Sequence, residues 1–234
     1  MAKGDRTRGV ILEQGIALAY RVGLEGLTIG ALAAEVEMSK SGMYAHFGSK
    51  QALQIAVLDA AGRDFAATVV EPALRAPRGE PRIRALVDSW LTCGRQRRPG
   101  GCLFVKAGTE LDEQPGPVRD RLVELHEQLD DTIARIVTSG VEDGLLRRGT
   151  DARQFAADLY GIMLGFHHRH RLLGDARAEE RARAAVDALL DAVRVPQPGG
   201  QRAEGAGGHH AEGADDGAEP DPSPTVPTTA GAAR

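Results

Sequence analysis

Apolar residues recur every three or four positions through almost the whole stretch from residue 11 to residue 193, and nowhere do they alternate as in a β-strand. The segment 29–36 carries an apolar face for only about two turns, whereas the segment 118–136 keeps one for about five. Clusters of proline and glycine at 99–101 and 115–117 interrupt the pattern. The sequence therefore predicts an all-α protein of about nine helices.

Composition narrows the class of protein further. Of the 234 residues, 42% are apolar and 26% are charged, which is typical of a globular chain. No apolar run approaches the roughly 20 residues that a membrane-spanning helix needs, and the start, Met1 to Arg8, is polar, unlike a signal peptide. Two cysteines, Cys93 and Cys102, are too few for a disulfide scaffold. We therefore expect a cytoplasmic protein with no membrane contact, metal or cofactor.

The formal net charge of −4 argues at first against a nucleic-acid partner, but the charge is unevenly distributed. Acidic residues of the segment 196–234 account for all of it, so residues 1–195 are neutral overall. This acidic segment is rich in Gly and Pro and has one valine and no leucine, isoleucine or aromatic residue, which predicts disorder. We expect two helical domains, over 1–53 and 54–195, and a disordered tail over 196–234.

Two short helices near the N-terminus form the most informative pattern. Thr28 is suited to cap the helix over 29–36, and Ser39 to cap an equally short helix over 40–46. Only Glu37 and Met38 separate the two helices, which predicts a tight turn and a sharp crossing, as in a helix-turn-helix unit. Ser49 then caps a long helix that we expect to end near Glu71, because a proline follows.

The second short helix has the length and polarity to enter the major groove of double-stranded DNA, which admits one helix. At its start Lys40 can donate to guanine, Ser41 can contact most bases, and Gly42 lets the backbone come close. Lys50 can hold a phosphate from the next helix start. Taken singly, each is an ordinary surface residue, so their joint placement carries the hypothesis. The predicted DNA contacts are Thr28, Ser39, Lys40, Ser41, Gly42, Tyr44, His46 and Lys50.

The string from Gly23 to Leu53 resembles the DNA-binding domain of the TetR (tetracycline-repressor) family. The matching positions are Gly23, Thr28, Ala33, Ser39, Tyr44, His46, Phe47, Lys50 and Leu53. The sequence departs from the family pattern at Glu37, where Gly is usual, at Met38 in place of Val, and at Ser41 and Gly42. The departure at Glu37 predicts a more strained turn between the two short helices.

The resemblance implies a sequence-specific transcriptional regulator, and we expect a repressor that a small-molecule effector releases from a palindromic operator. It also implies that 1–53 is the DNA-binding domain and 54–195 the domain for effector binding and dimerisation, with a homodimer formed through the last two predicted helices. The helix over 151–173 agrees, because it is apolar nearly all round and one domain covers only one face. The predicted interface residues are Gly161, Leu164, Gly165, His168, Leu172, Val186, Leu189 and Leu190.

Candidates for an effector pocket are large residues on the apolar faces of the second domain, where ordinary core packing is the alternative for each. They are Trp90, Phe104, His126, Phe155 and Met163. His126 lies between Leu122 and Leu129 on an apolar helix face. It is either a hydrogen-bonded core residue or a polar group in a cavity.

Two other sensing chemistries remain open at this point. Cys93 and Cys102 flank a Gly-Pro loop and suggest oxidation sensing, although nearby arginines are their only obvious activating groups. The cluster from His167 to His170 suggests metal sensing, although histidines in the last turns of a helix also satisfy unpaired carbonyls. An enzyme is disfavoured, because the sequence has no phosphate-cradling Gly motif, nucleophile elbow or HExxH pattern.

Overall fold

The computed structural model describes residues 3–96 and 101–195, and helices make up almost all of their regular structure. The helices are α1 (Lys3–Val22), α2 (Ile29–Glu35), α3 (Lys40–Phe47), α4 (Lys50–Phe65), α5 (Glu71–Arg75), α6 (Glu80–Gln96), α7 (Leu103–Leu111), α8 (Pro117–Glu142), α9 (Ala152–Arg171) and α10 (Ala178–Asp191), with a π-helical turn (Ala66–Val70) between α4 and α5. If α4, the π turn and α5 are counted as one continuous helix, the described ranges contain nine helices. The all-α prediction is confirmed.

The described ranges contain no β-strand, only an isolated antiparallel bridge between Leu146 and Arg194. None of their helices is long and apolar enough to cross a lipid bilayer. The tail over 196–234, predicted to be disordered, lies outside the described residues.

Side-chain caps explain where the short N-terminal helices begin. The hydroxyl oxygens of Thr28, Ser39 and Ser49 accept hydrogen bonds from the backbone N–H groups three residues further on, at 3.1, 3.1 and 3.0 Å. Each bond satisfies one of the N–H groups that a helix start leaves without a partner. The three caps predicted from the sequence are therefore confirmed.

The prediction that the long helix ends near Glu71 is wrong, because the helical run continues past Pro72 to Arg75. The π turn explains the difference. It lets the Glu71 N–H donate to the carbonyl of Ala66, five residues back, and a new α-helical segment then starts with Pro72 in its first turn. Pro72 thus lies at the first or second position of the new segment, where proline is tolerated best.

Two groups of buried side chains hold the described residues together. The first joins α1–α4 with α7 and the start of α8, and the second joins α5 and α6 with the rest of α8, α9 and α10. Helix α7 contributes Leu103, Ala107 and Leu111 to the first group although it is distant from α1–α4 in sequence. The boundary expected after residue 53 falls inside α4, which contributes to both groups of contacts.

A charged cluster ties the start of α6 to the chain after α10. Glu80 accepts hydrogen bonds from Arg194 at 2.6 and 2.7 Å and from Arg84 at 2.8 Å. These bonds, those from Arg194 above all, lower the pKa of Glu80 to about 2. The carboxylate is therefore held in its charged form by the folded structure.

Candidate nucleic-acid interface and internal cavity

Helix α3 divides into a buried face and an exposed face. Met43 and Phe47 are buried in the N-terminal core, as a two-turn amphipathic helix requires. On the opposite side Lys40 and Ser41 are exposed, and Tyr44 one turn later keeps 55% of its surface accessible. The structure thus brings three of the predicted DNA contacts onto one free face.

The start of α3 has little room for larger side chains. A Cβ added to Gly42 would lie 3.2 Å from the Ser39 hydroxyl that caps the helix, and Ser41 Oγ is 3.1 Å from the same oxygen. The Lys40 side chain lies over α2, where a Cβ on Gly30 would come within 3.3 Å of Lys40 Cε. Small residues at these positions therefore let α2 and α3 pack closely.

The turn between α2 and α3 contains a strained residue. Glu37 has a φ of 53°, and no other non-glycine residue of the described ranges has a positive φ. Two hydrogen bonds hold this conformation: the Met38 N–H donates to Ala33 O at 2.9 Å and the Glu37 N–H to Ala34 O at 3.4 Å. This pattern ends helices at a left-handed residue, usually glycine, which explains why the family pattern has Gly here.

Two charged residues that the sequence analysis did not single out contact predicted DNA-binding residues. Glu25 forms an exposed ion pair with Lys50 at 3.2 Å. The Arg8 guanidinium lies 4.6 Å from the centre of the Phe47 ring and also donates to the His46 carbonyl. Neither contact has a local sequence signal, because the partners are 25 and 38 residues apart.

The backbone turn before α2 is held by side chains from two other helices. Glu110 Oε2 on α7 accepts from the N–H groups of Leu24 at 2.7 Å and Glu25 at 2.9 Å. The buried Gln54 on α4 donates to the Leu24 carbonyl at 2.7 Å. Lys106 on α7 donates to the Tyr20 carbonyl at 2.9 Å. Helices α4 and α7 are thereby fastened to the end of α1 and the entry to α2.

A cavity of about 300 Å³ lies between α4 with its π turn, α6, α7, α8 and α9. It is lined mainly by Asp59, Gly62, Arg63, Phe65, Ala66, Val70, Trp90, Cys102, Phe104, Val105, Arg121, Leu125, His126, Gln128, Leu129, Thr132 and Tyr160. Three predicted pocket residues, Trp90, Phe104 and His126, are among them. Phe104 and Cys102 belong to the start of α7, the helix that reaches the α2 entry.

The other two predicted pocket residues lie elsewhere. Phe155 is 2% exposed and belongs to the second hydrophobic core, and Met163 lines a separate space of about 30 Å³ next to the cavity. Tyr160, which the sequence analysis did not select, faces the cavity from α9 instead. Because α9 is apolar nearly all round, its periodicity does not indicate which face meets the cavity.

Five of the aromatic side chains that line this cavity form a closed cycle of ring contacts, called here the aromatic ring. They follow one another in the order Phe65, Trp90, Tyr160, His126 and Phe104, and then back to Phe65. Neighbouring ring centres are 5.6 to 6.2 Å apart and the planes are tilted by 49 to 87°. These are the distances and tilts at which aromatic pairs attract each other.

Several polar side chains of the cavity wall already have hydrogen-bond partners within the protein. Arg121 donates to Asp59 at 2.6 Å and to Glu124 at 2.6 Å. His126 Nδ1 lies 2.9 Å from the Leu122 carbonyl, which only accepts, so Nδ1 carries a proton. Burial, followed by the nearby Cys102 and Asp130, raises the pKa of Tyr160 to about 12, so its hydroxyl stays uncharged.

The groups considered for redox or metal sensing are spread over this region. Cys93 and Cys102 are half-buried, are not joined in a disulfide, and both line the small space beside the cavity. His170 stacks on Phe166, with ring centres 5.4 Å apart. Burial and then the positive charge of Arg171 lower the pKa of His167. Within 3–96 and 101–195, no three His, Cys, Asp or Glu side chains are arranged to hold a metal ion.

The predicted interface residues separate into two sets. Gly161, Leu164, Gly165, His168 and Leu172 form one exposed stripe along α9. A Cβ added to either glycine of this stripe would meet no atom within 4 Å. Val186 and Leu190 are instead buried in the chain's own core, because that face of α10 packs on α9, and Leu189 is half-buried.

The fold and the exposed face of α3 define a helix-turn-helix DNA-binding protein. Residues 11–57 match the family model described as bacterial regulatory proteins of the tetR family, and residues 79–186 match the tetracyclin repressor-like C-terminal domain. Together the matches cover well over half of the chain. The protein belongs to the TetR family of DNA-binding transcriptional regulators.

Solved structures share the whole described architecture. A TetR-family regulator from Cytophaga hutchinsonii is 19% identical with a TM-score of 0.75, over 84% of this chain and 99% of that chain. A TetR regulator from Chloroflexus aurantiacus is 26% identical with a TM-score of 0.74, over 84% and 100%. AibR, solved with isovaleryl coenzyme A and operator DNA, is 21% identical with a TM-score of 0.60, over 78% and 95%. Curated protein sequences give no significant match.

Proposed function

We propose that the protein is a cytoplasmic homodimeric repressor that binds a palindromic operator through two copies of α3 and leaves it when a small molecule occupies the aromatic cavity. The observation that carries this proposal is the placement of α7. Phe104 at its start is part of the cavity wall, and Lys106 and Glu110 further along hold the backbone next to α2. A ligand that displaces the start of α7 therefore acts on the DNA-binding helices.

The DNA-binding part of the proposal rests on the free face of α3. Lys40, Ser41 and Tyr44 are exposed together, and a major groove about 12 Å wide admits one helix. Lys50 stands at the next helix start, and its pair with Glu25 is exposed on both sides. Such a pair contributes at most about 1 kcal/mol, so a DNA phosphate can replace Glu25 as the partner of Lys50.

The dimer is supported by the exposed stripe on α9. Small and apolar residues, Gly161, Leu164, Gly165 and Leu172, let a second copy of the helix approach closely. Leu172 leaves 72% of its surface exposed in the single chain, which water disfavours. A two-fold axis through this stripe gives the paired recognition helices that a palindrome requires.

Release by a ligand needs only modest coupling. An effector that binds one arrangement of the recognition helices better than the other by about 1–3 kcal/mol changes operator occupancy by about 5- to 150-fold. The structurally similar AibR has been solved with both a coenzyme A thioester and operator DNA, which supports combining the two kinds of partner in one chain.

DNA binding is tested by fluorescence anisotropy with labelled duplexes from the upstream region of the gene, over a range of salt concentrations. We expect a steep fall in affinity with salt, because released counterions drive binding to phosphates. Lys50→Ala should weaken binding and reduce the slope by about one. Arg148→Ala, which removes an exposed charge from the loop after α8, is the matched control and should change neither. Equal losses in both variants would count against the proposed face.

The coupling through α7 is tested with Glu110→Ala. This variant leaves the Leu24 and Glu25 N–H groups without their carboxylate acceptor, so we expect a ligand to bind the cavity normally but to release DNA less effectively. Trp90 is the only tryptophan and lines the cavity, so its fluorescence reports ligand binding separately from DNA release. Glu113→Ala removes an exposed carboxylate just beyond α7 and is the control. Unchanged release in Glu110→Ala would refute this route.

A further inference from the structure

The cavity wall is unusually aromatic for this chain. The sequence contains only five Phe, three Tyr and one Trp, yet Phe65, Trp90, Phe104 and Tyr160 meet around one space, and His126 completes the ring. Aromatic rings pack edge to face at the tilts seen here. A flat aromatic molecule bound among these five side chains would pack edge to face against several of them at once.

The size of the cavity limits the ligand. An apolar cavity of about 150 Å³ holds one benzene molecule. The cavity here is about 300 Å³, so it has room for a body of about two fused rings. This bounds the part of the ligand enclosed by the aromatic ring.

The charges of the wall favour an uncharged ligand. Asp59 and Arg121 neutralise each other at 2.6 Å, and Arg121 is also bonded to Glu124. Arg63 is exposed to solvent at the edge of the cavity. An ion buried among the aromatic rings would therefore lose its hydration without gaining an unpaired buried partner of opposite charge.

His126 supplies the polar contact that gives direction to the ligand. Nδ1 donates to the Leu122 carbonyl, so in the uncharged form of the imidazole Nε2 has a lone pair that can accept a hydrogen bond. Nε2 is therefore the ring nitrogen left to contact a ligand in the cavity that His126 lines. We expect such a ligand to bring the donor, and a hydroxyl on an aromatic ring is a small group that does so.

We propose that the cavity binds an uncharged aromatic molecule of about two fused rings whose hydroxyl group donates a hydrogen bond to His126 Nε2 while its rings pack against Phe65, Trp90, Phe104 and Tyr160. This assignment rests on the proposed function, since it names the chemical class of the effector. It also explains why a histidine occupies an apolar helix face.

The test uses three probes with the same bicyclic body, measured by isothermal titration calorimetry on the full-length protein. They are 2-naphthol, its methyl ether 2-methoxynaphthalene, which lacks the donor, and naphthalene-2-carboxylate, which is charged. We expect 2-naphthol to bind about tenfold more tightly than the methyl ether, the ordinary effect of one hydrogen bond, and the carboxylate to bind more weakly than 2-naphthol. This comparison needs no variant.

His126→Phe assigns the discrimination to His126, because it keeps an aromatic ring in the wall and removes the Nε2 acceptor together with the Nδ1 bond to the Leu122 carbonyl. In this variant the methyl ether should bind as in the unchanged protein, which also shows that the cavity is intact, and 2-naphthol should fall to the same affinity. Discrimination that survives His126→Phe would overturn the proposal, as would tighter binding of the carboxylate or failure of all three probes to bind.

Release of labelled DNA by the same probes is measured separately and bears on the proposed function alone. If 2-naphthol binds with discrimination that depends on His126 but leaves DNA bound, the ligand class stands and release through the cavity is refuted. If a charged molecule instead occupies the cavity and releases DNA, release stands and the ligand class is refuted.

Discussion

Replacing Glu37 with glycine should stabilise the protein, although Glu37 lies on the surface and belongs to the DNA-binding unit. Its φ of 53° is enforced by the two hydrogen bonds that end α2, not by any contact of its own side chain within the described residues. Glycine adopts this conformation without a clash of Cβ against the backbone. The substitution therefore removes strain without removing a known contact.

The size of the effect follows from two opposing terms. A left-handed conformation costs an L-residue about 1–2 kcal/mol. Glycine gives back about 0.4–1 kcal/mol of that gain, because its unfolded chain has more freedom to lose. The expected increase in the free energy of unfolding is about 0.5–1 kcal/mol. For a folded region of this size that corresponds to a rise in Tm of about 1–4 °C.

Thermal unfolding followed by circular dichroism, at equal protein concentrations, measures this difference. Glu37→Gln is the control, because glutamine has the same shape and the same difficulty with a positive φ but no charge. We expect Glu37→Gly to melt above both the unchanged protein and Glu37→Gln. If Glu37→Gln is stabilised as much as Glu37→Gly, the gain comes from the lost charge and the strain argument fails.

Two further substitutions test packing and charge elsewhere. Glu80→Gln should destabilise the protein at pH 7 by about 1 kcal/mol after solvent screening. Because folding holds the pKa of Glu80 at about 2, below its ordinary 4.5, the difference in stability should persist above pH 5 and disappear as the pH falls towards 2. A loss of stability that does not depend on pH would contradict this prediction. Gly161→Leu should weaken the dimer in sedimentation measurements, because a Cβ at Gly161 meets no atom of the same chain within 4 Å and the larger side chain would stand in the proposed interface. Gly108→Leu, at an equally open helical position on α7, should leave the dimer unchanged.

Local signals in the sequence predict much of the fold but few of the long-range contacts. Thr28, Ser39 and Ser49 are found as caps because capping involves residues three apart. Pro72 gave a wrong prediction for the end of the long helix, because a π turn just before it changes the hydrogen-bond pattern. Tyr160 was not identified as a cavity residue for another reason. Helix α9 packs against other helices on several sides, so its apolar residues do not mark one buried face.

The sequence analysis missed entirely the contacts on which the proposed release of DNA depends. Leu24 has its N–H bound by Glu110 from α7 and its carbonyl bound by Gln54 from α4, and these partners are 86 and 30 residues away. No periodicity indicates such pairs, because each is a single polar side chain reaching a backbone group. In the proposed function α4 and α7 act on the same stretch of backbone, because both contribute side chains to the cavity wall, and Gln54 of α4 and Glu110 of α7 both bond to backbone groups of Leu24.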